Sequence, residues 1–393
     1  MTMNTKKELF GIELETYLKA SKKKKGEILD SLSRQTGMWR ESIMRSFKRL
    51  QMESVYVEKK KRGRSVYYTP DVCAGLKEIW IDSNSCCGEL LHPMISEYIS
   101  IFKRDKMWKH GDETTGKLLA MSMATVKRKV NGWQCQSGRK GISTTTPSAI
   151  KERVPIFQGS WHEVPVGFGQ IDTVAHCGDS LAGDFIYSCG YVDVSSGWFV
   201  YTPQWNKGME MTKESLEHIR KQLPFLLLHV HPDCGTEFLN QIVIGWCGEE
   251  KIDISRSRSY HKNDNGYIEQ RNGHIARRWL GYDRLGCREL LPKIVKFLDL
   301  VCLYHNHLIA QRLCIETKVL PNGKHKKIYE KIGMTPYARL CANEKVSKEV
   351  KNKIQIAHQK LNPKVLHDML IKMKHDILKA NRLAMESKQI QIY

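Results

Sequence analysis

Three acidic residues, Asp172, Asp233 and Glu269, could together hold metal for phosphodiester chemistry. Asp172 lies within Gln170-Ile171-Asp172-Thr173, a strand-like run whose apolar neighbours make an unpaired charge expensive. Asp233 follows a short apolar run, in His231-Pro232-Asp233-Cys234-Gly235-Thr236-Glu237-Phe238, where Gly235 permits a sharp turn. Glu269 stands near the start of a helical run, and its i+4 and i+7 neighbours, Gly273 and Ala276, are small enough for close packing beside strands. Carboxylates are hard oxygen ligands for Mg²⁺ or Mn²⁺. Two such ions about 3.5–4 Å apart can serve the attacking and leaving oxygens of a phosphodiester displacement. Taken singly, each acid reads as a cap or a salt-bridge partner. Together they need a fold that brings them to one place.

The elements around them supply an order. Residues 168–175, 185–194 and 198–203 read as strands, with Ser196-Gly197 as the tight turn between the last two. A helix over 212–222, a strand over 226–231, a helix over 237–249 and a strand over 252–255 follow. A helix over 265–280 has Ile268, Ile275, Ala276 and Trp279 at inward spacing. Three strands, then helix, strand, helix, strand, helix is the order of an α/β, ribonuclease-H-like fold. Beyond Asp283 the pattern is mainly helical: 290–309, 346–361 and 363–388, with a hairpin over 313–328 turning at Pro321-Asn322-Gly323. Asp193 reads as structural, Asp179 and Asp184 as turn residues, and His231 and His261 as solvated. His176-Cys177 has no second pair to complete a metal site. Arg256, Arg258, Lys262 and Arg271 surround the third acid, with Asn265 in a polar, Gly-containing loop over 263–266, and suit a duplex backbone.

The chain has 393 residues, 41% hydrophobic and 27% charged, enough for ordinary cores. Its net charge of +21 favours an anionic partner, because each neutralised phosphate releases counterions. The 12 cysteines include no Cys-x-x-Cys pair, which argues against a zinc ribbon and for a reduced, intracellular protein. No apolar run of signal-peptide or membrane-spanning kind is present, and no P-loop. Residues 1–68 hold 17 basic and 8 acidic side chains. Within them, helical patterns over 21–32 and 39–50 flank Thr36-Gly37, as in a helix-turn-helix, with Arg40, Arg45, Lys48 and Arg49 on the second helix. A basic run, Lys59-Lys60-Lys61-Arg62-Gly63-Arg64, follows. Residues 69–133 read as a second helical DNA-binding unit carrying Lys127 and Arg128, and 134–160 as a linker. The catalytic core spans 161–285 and the helical C-terminal region 286–393.

Sixty residues separate Asp172 from Asp233, and 35 separate Asp233 from Glu269. With Gln170 to Gly178, Asp233 to Asn240 and Ser255 to Asn272, the chain resembles the D,D-35-E family of integrases and bacterial insertion-sequence transposases. The N-terminal helices near 21–50 and Thr335-Pro336-Tyr337 extend the resemblance. One departure is Cys234, where the family usually has Asn. The resemblance implies a Mg²⁺- or Mn²⁺-dependent transposase with two ions held by Asp172, Asp233 and Glu269. It implies strand cleavage and strand transfer on double-stranded DNA, between the element's terminal inverted repeats and a target. It implies a homo-oligomer on DNA, cytoplasmic and nucleoid-associated, with no membrane partner. A catalytically inactive or domesticated DNA-binding regulator is the alternative.

Overall fold

The computed structural model describes residues 3–53, 67–134, 151–157, 159–258, 264–320 and 325–390. The basic run 59–64, most of the linker, His261, Lys262 and the turn 321–323 lie outside them. The chain divides into two compact units, Met1–Tyr67 and Tyr68–Tyr393.

The first unit contains α1 (Met3–Lys19), α2 (Lys22–Thr36) and α3 (Arg40–Glu53). Helix α2 starts where the Ser21 hydroxyl accepts from the Lys24 N–H. It stops at Gly37, whose φ of +67° is the left-handed conformation that glycine adopts without a Cβ penalty. Phe10, Leu29, Leu32, Ile43 and Phe47 form its core. The sequence reading has α2 and α3 but not α1. Phe10 and Tyr17 dock α1 onto Phe47, with ring centroids 6.0 and 4.6 Å away.

The second unit opens with α4 (Pro70–Asp82), α5 (Gly88–Leu91), α6 (Ile95–Arg104), α7 (Asp112–Leu119) and α8 (Met123–Asn131). Leu76, Ile79, Tyr98, Phe102, Leu118 and Val126 are buried together, with Ala310 from the far end of the chain. The Tyr98 hydroxyl donates to the Leu308 carbonyl at 3.0 Å. Arg104 donates to the carbonyls of Gln359 and Leu361. These helices therefore share packing and hydrogen bonds with the C-terminal part of the chain.

A five-stranded sheet follows, built from β1 (Phe168–Ala175), β2 (Ile186–Asp193), β3 (Phe199–Trp205), β4 (His229–His231) and β5 (Asp253–Ile254). Its order is β3-β2-β1-β4-β5. The first three strands pair antiparallel, while β4 pairs parallel with β1 and β5 parallel with β4. This mixed sheet fits a ribonuclease-H-like fold. Helices α9 (Met209–Gln222) and α10 (Gln241–Glu249) pack on one face, over Ile171, Tyr191 and Val200. On the other lie α11 (Gly266–Arg271), a π-helical segment Asn272–Arg277, α12 (Arg278–Leu280) and α13 (Leu291–Leu308), over Val174, Phe199 and Tyr201. Both faces are covered, so every residue of β2 is buried. The hairpin β6 (Cys314–Val319) and β7 (His325–Tyr329), then α14 (Pro336–Ala342), α15 (Lys348–Gln359) and α16 (Pro363–Ile390) complete the chain.

Two boundaries differ from the sequence reading for identifiable reasons. Leu226 is exposed, so the apolar run 226–231 yields a strand only over its last three residues. The helix expected from 237 starts at Gln241, because the Asn240 side chain accepts from the Val243 N–H and caps it there.

Candidate active site

Asp172 sits mid-strand in β1, and Asp233 two residues past the end of β4. Those strands are paired neighbours, so the fold brings the two half-buried carboxylates together. Burial and the adjacent Asp233 charge push the Asp172 pKa up to about 8. The Asp172 carboxylate accepts from the Thr173 N–H at 2.7 Å and from the Asn272 amide Nδ2 at 2.8 Å.

Glu269 arrives by a different route. Gln170 is fully buried on β1, two residues before Asp172 and on the same side of the strand. Its Oε1 accepts the N–H groups of Tyr267 and Ile268, two donors at the start of α11 that have no partner within the helix. Its Nε2 donates to the Asp264 carbonyl at 2.8 Å. The strand that carries the first acid thus pins the helix that carries the third. One turn beyond Glu269, Asn272 reaches Asp172, so the face of α11 bearing Glu269 turns toward the aspartates. Glu269 itself is exposed. Among the described residues, the ligand atoms of the three acids do not all close to within 4.8 Å of one another.

Asn272 was not singled out in the sequence, and neither were the residues that aim it. The Tyr201 hydroxyl donates to Asn272 Oδ1 at 2.7 Å, which leaves Nδ2 facing Asp172. In register, Asp172 pairs with Gly190 and Gly190 with Tyr201. A Cβ on Gly190 would stand 2.2 Å from the Tyr201 ring, so only glycine lets that ring cross β2 toward Asn272. Glu237 is another missed neighbour. It is buried, paired with Lys207 at 2.6 Å and accepting from the Thr173 hydroxyl at 3.2 Å. Lys207 therefore has a carboxylate of its own beside the aspartates. Asp172 and Asp233, half-buried and near enough for the Asp233 charge to act on Asp172, offer the hard oxygen donors that a divalent cation takes, and Glu269 is carried on the adjacent helix.

The remaining readings divide. The Cys234 thiol donates to the Ser257 carbonyl at 3.3 Å. Asp193 is structural, accepting from the N–H groups of Gly167 and Ser196 and from the Ser196 hydroxyl. His231 is buried rather than solvated. Phe157 and Trp161, some seventy residues earlier, lie against it, and burial lowers its pKa to about 3. Arg256 donates to the Val154 carbonyl and holds the preceding segment to the sheet edge. Arg258 forms a two-bond pair with Asp264. Asn265 is buried, with no hydrogen-bond partner for either atom of its amide. The Arg271 guanidinium lies 5.7 Å from the centre of the Phe199 ring, and burial lowers its pKa to about 10. Among the helical cations, Arg40 pairs with Asp30, Arg45 with Glu41 and Lys127 with Glu89, while Lys48, Arg49 and Arg128 are exposed.

No family model matches the chain. Among solved structures, the HTLV-2 integrase catalytic core domain in complex with magnesium is 19% identical, covering 38% of this chain and 92% of that one at a TM-score of 0.29. The simian T-cell lymphotropic virus intasome in complex with the PP2A regulatory subunit B56 gamma is 17% identical, covering 53% of this chain and 68% of that one at a TM-score of 0.30. Likenesses this loose carry no weight; the fold assignment rests on sheet order and strand direction. A curated relative, the uncharacterized protein y4rM of Sinorhizobium fredii (strain NBRC 101917 / NGR234), is 30% identical over 312 residues, 78% of this chain and 87% of the relative. At that identity over most of both chains, this protein belongs to the same family as y4rM.

Proposed function

We propose that the protein is a DNA transposase of the integrase type, a polynucleotidyl transferase that cuts and joins DNA strands. The observation that carries the reading is the approach of Asp172, on β1, and Asp233, just past the end of the neighbouring parallel strand β4, beside a helix that offers Glu269. Asp172, Asp233 and Glu269 would hold divalent metal, Mg²⁺ or Mn²⁺ in a pair of ions, which neutralises charge on the reacting phosphate and activates the attacking oxygen. Around that site the chain's own groups set position. Asn272 fixes one oxygen of Asp172 and the Thr173 N–H the other, which limits the directions left for ligation. The π-helical segment right after α11 shifts the register of the helix below Glu269, a distortion frequent at functional sites.

Recognition of DNA falls to the exposed cations of α3. Arg45, Lys48 and Arg49 project from the side opposite Ile43 and Phe47, so α2 and α3 support a helix-turn-helix that presents α3 to the major groove. The overall charge of +21 supports a duplex partner. Assembly of protomers on two DNA ends belongs to the same proposal.

The test uses purified full-length protein and labelled duplexes copied from the DNA flanking its gene. With Mg²⁺ or Mn²⁺, one strand should be cut at the element end and the freed 3′ end joined to a second duplex. Ca²⁺, with longer and more numerous bonds, should allow binding but little cutting. Tight, sequence-selective binding without cleavage in any divalent metal would support the regulator instead.

A further inference from the structure

A second cluster of ligand-type side chains lies away from the carboxylates described above. Asp82, His367 and Asp368 each offer one ligand atom, and those atoms lie within 4.8 Å of one another. Asp82 is the last residue of α4, while His367 and Asp368 lie in the second turn of α16. The Asp82 side chain is doubly unfavourable where it stands. It is only 1% exposed, and its Oδ2 has no hydrogen-bond partner. It also ends a helix, where the backbone dipole already presents negative charge. The Lys364 ammonium lies 3.7 Å from Oδ2, on a side chain one-third exposed. That is a loose pair on a lysine free to swing into water. His367 packs against the rings of Trp279 and Tyr304, with centroids 6.4 and 6.3 Å away.

We propose that Asp82, His367 and Asp368 bind one divalent transition ion, Zn²⁺ in preference to Mg²⁺ or Ca²⁺, which fastens α4 to α16. An imidazole nitrogen with two carboxylate oxygens is a borderline donor set that suits Zn²⁺ and disfavours purely oxygen-seeking ions. Tetrahedral ligands about 2.0–2.2 Å from a common ion stand roughly 3.4 Å apart, so the side chains, now within 4.8 Å of one another, close by up to about an ångström and a half on binding. Three protein ligands leave a coordination position for water, and a surface cleft lined by Asp82, Glu78 and Lys364 gives the ion an entry path. The ion would join segments nearly three hundred residues apart in sequence, which makes it structural.

The site is tested in full-length protein carrying Asp172→Asn, Asp233→Asn and Glu269→Gln, so that the proposed catalytic site cannot contribute. After chelation and dialysis, Zn²⁺ should bind at one equivalent per chain and raise the unfolding temperature; Mg²⁺ at the same concentration should not. Adding His367→Gln or Asp82→Asn should abolish the tight equivalent. Asp368→Asn, on an exposed side chain, should keep the fold by circular dichroism and weaken Zn²⁺ at least about tenfold. Lys364→Met should tighten it, by removing a competing cation. Co²⁺ should give visible bands without the near-ultraviolet charge-transfer absorption of a thiolate. No tight equivalent, undiminished binding in Asp368→Asn, or a thiolate band from the cysteines would overturn the proposal.

Discussion

At the residue scale, the site rests on how few directions remain open to Asp172. Asn272 and the Thr173 N–H hold its two oxygens, and Tyr201 holds Asn272. Groups that orient metal ligands typically contribute about 10–100-fold to metal affinity or activity. Asn272→Ala is therefore expected to lower single-turnover cleavage by that order and to raise the Mg²⁺ concentration required, with duplex binding unchanged. Tyr201→Phe should move both readouts the same way by less. An unchanged metal requirement in both variants would separate Asn272 from the site. The sequence singles out the three acids by their settings and separations but passes over Asn272, since an Asn in a helix has no distinguishing pattern. The signals that could have found these supports are its i+3 spacing from Glu269 and the glycine inside β2. Gly190 marks a close approach because strands otherwise avoid glycine. His231 gave no signal, because the rings that bury it come from a distant segment.

At the element scale, β1 does two jobs, carrying Asp172 and capping α11 through Gln170. Gln170→Ala leaves two buried N–H groups without an acceptor, which costs about 1–3 kcal/mol for each group left unpaired. Faster amide exchange at Tyr267 and Ile268 and a lower denaturation midpoint are expected; unchanged exchange at both would contradict the cap. Helix α13 makes a pH prediction. His305 Nε2 accepts from the Trp279 indole N–H, which requires a neutral imidazole, and burial lowers its pKa to about 3. The unfolded chain binds this proton near pH 6.5. The neutral residue's contribution to stability is thus fully present above about pH 6.5 and is lost as pH falls toward 3. Each such group adds a slope of up to about 1.4 kcal/mol per pH unit. His305→Gln should flatten the decline in denaturant midpoint between pH 6.5 and 4.5 relative to wild type; an identical slope would exclude His305 as its source. Strand β1 and helix α13 were legible almost to the residue, since their apolar periodicity runs their full length. The π-helical segment was not, because Ile268, Ile275, Ala276 and Trp279 fit an uninterrupted helix equally well. Helix α1 was overlooked although Phe10 and Tyr17 carried its inward stripe.

At the scale of the whole molecule, the proposed function assigns binding and chemistry to different parts of the chain. The unit Met1–Tyr67 has its own core and exposes Lys48 and Arg49. Replacing Lys48 and Arg49 by Ala in the full chain should weaken duplex binding and lower the salt dependence by about one unit of slope per lost phosphate contact. Arg40→Ala should do less, since Arg40 already pairs with Asp30. Equal effects at all three positions, or none, would argue against α3 as the DNA-reading helix. The central claim is that Asp172, Asp233 and Glu269 act as one site on a phosphodiester. Asp172→Asn, Asp233→Asn and Glu269→Gln each remove a charge with little change of shape. In single-turnover cleavage of element-end duplexes with Mg²⁺, each variant should yield no detectable product while binding the duplex as wild type does. Wild-type-like cleavage by any one of the three, or undiminished cleavage by the unaltered protein in excess chelator, would contradict the account.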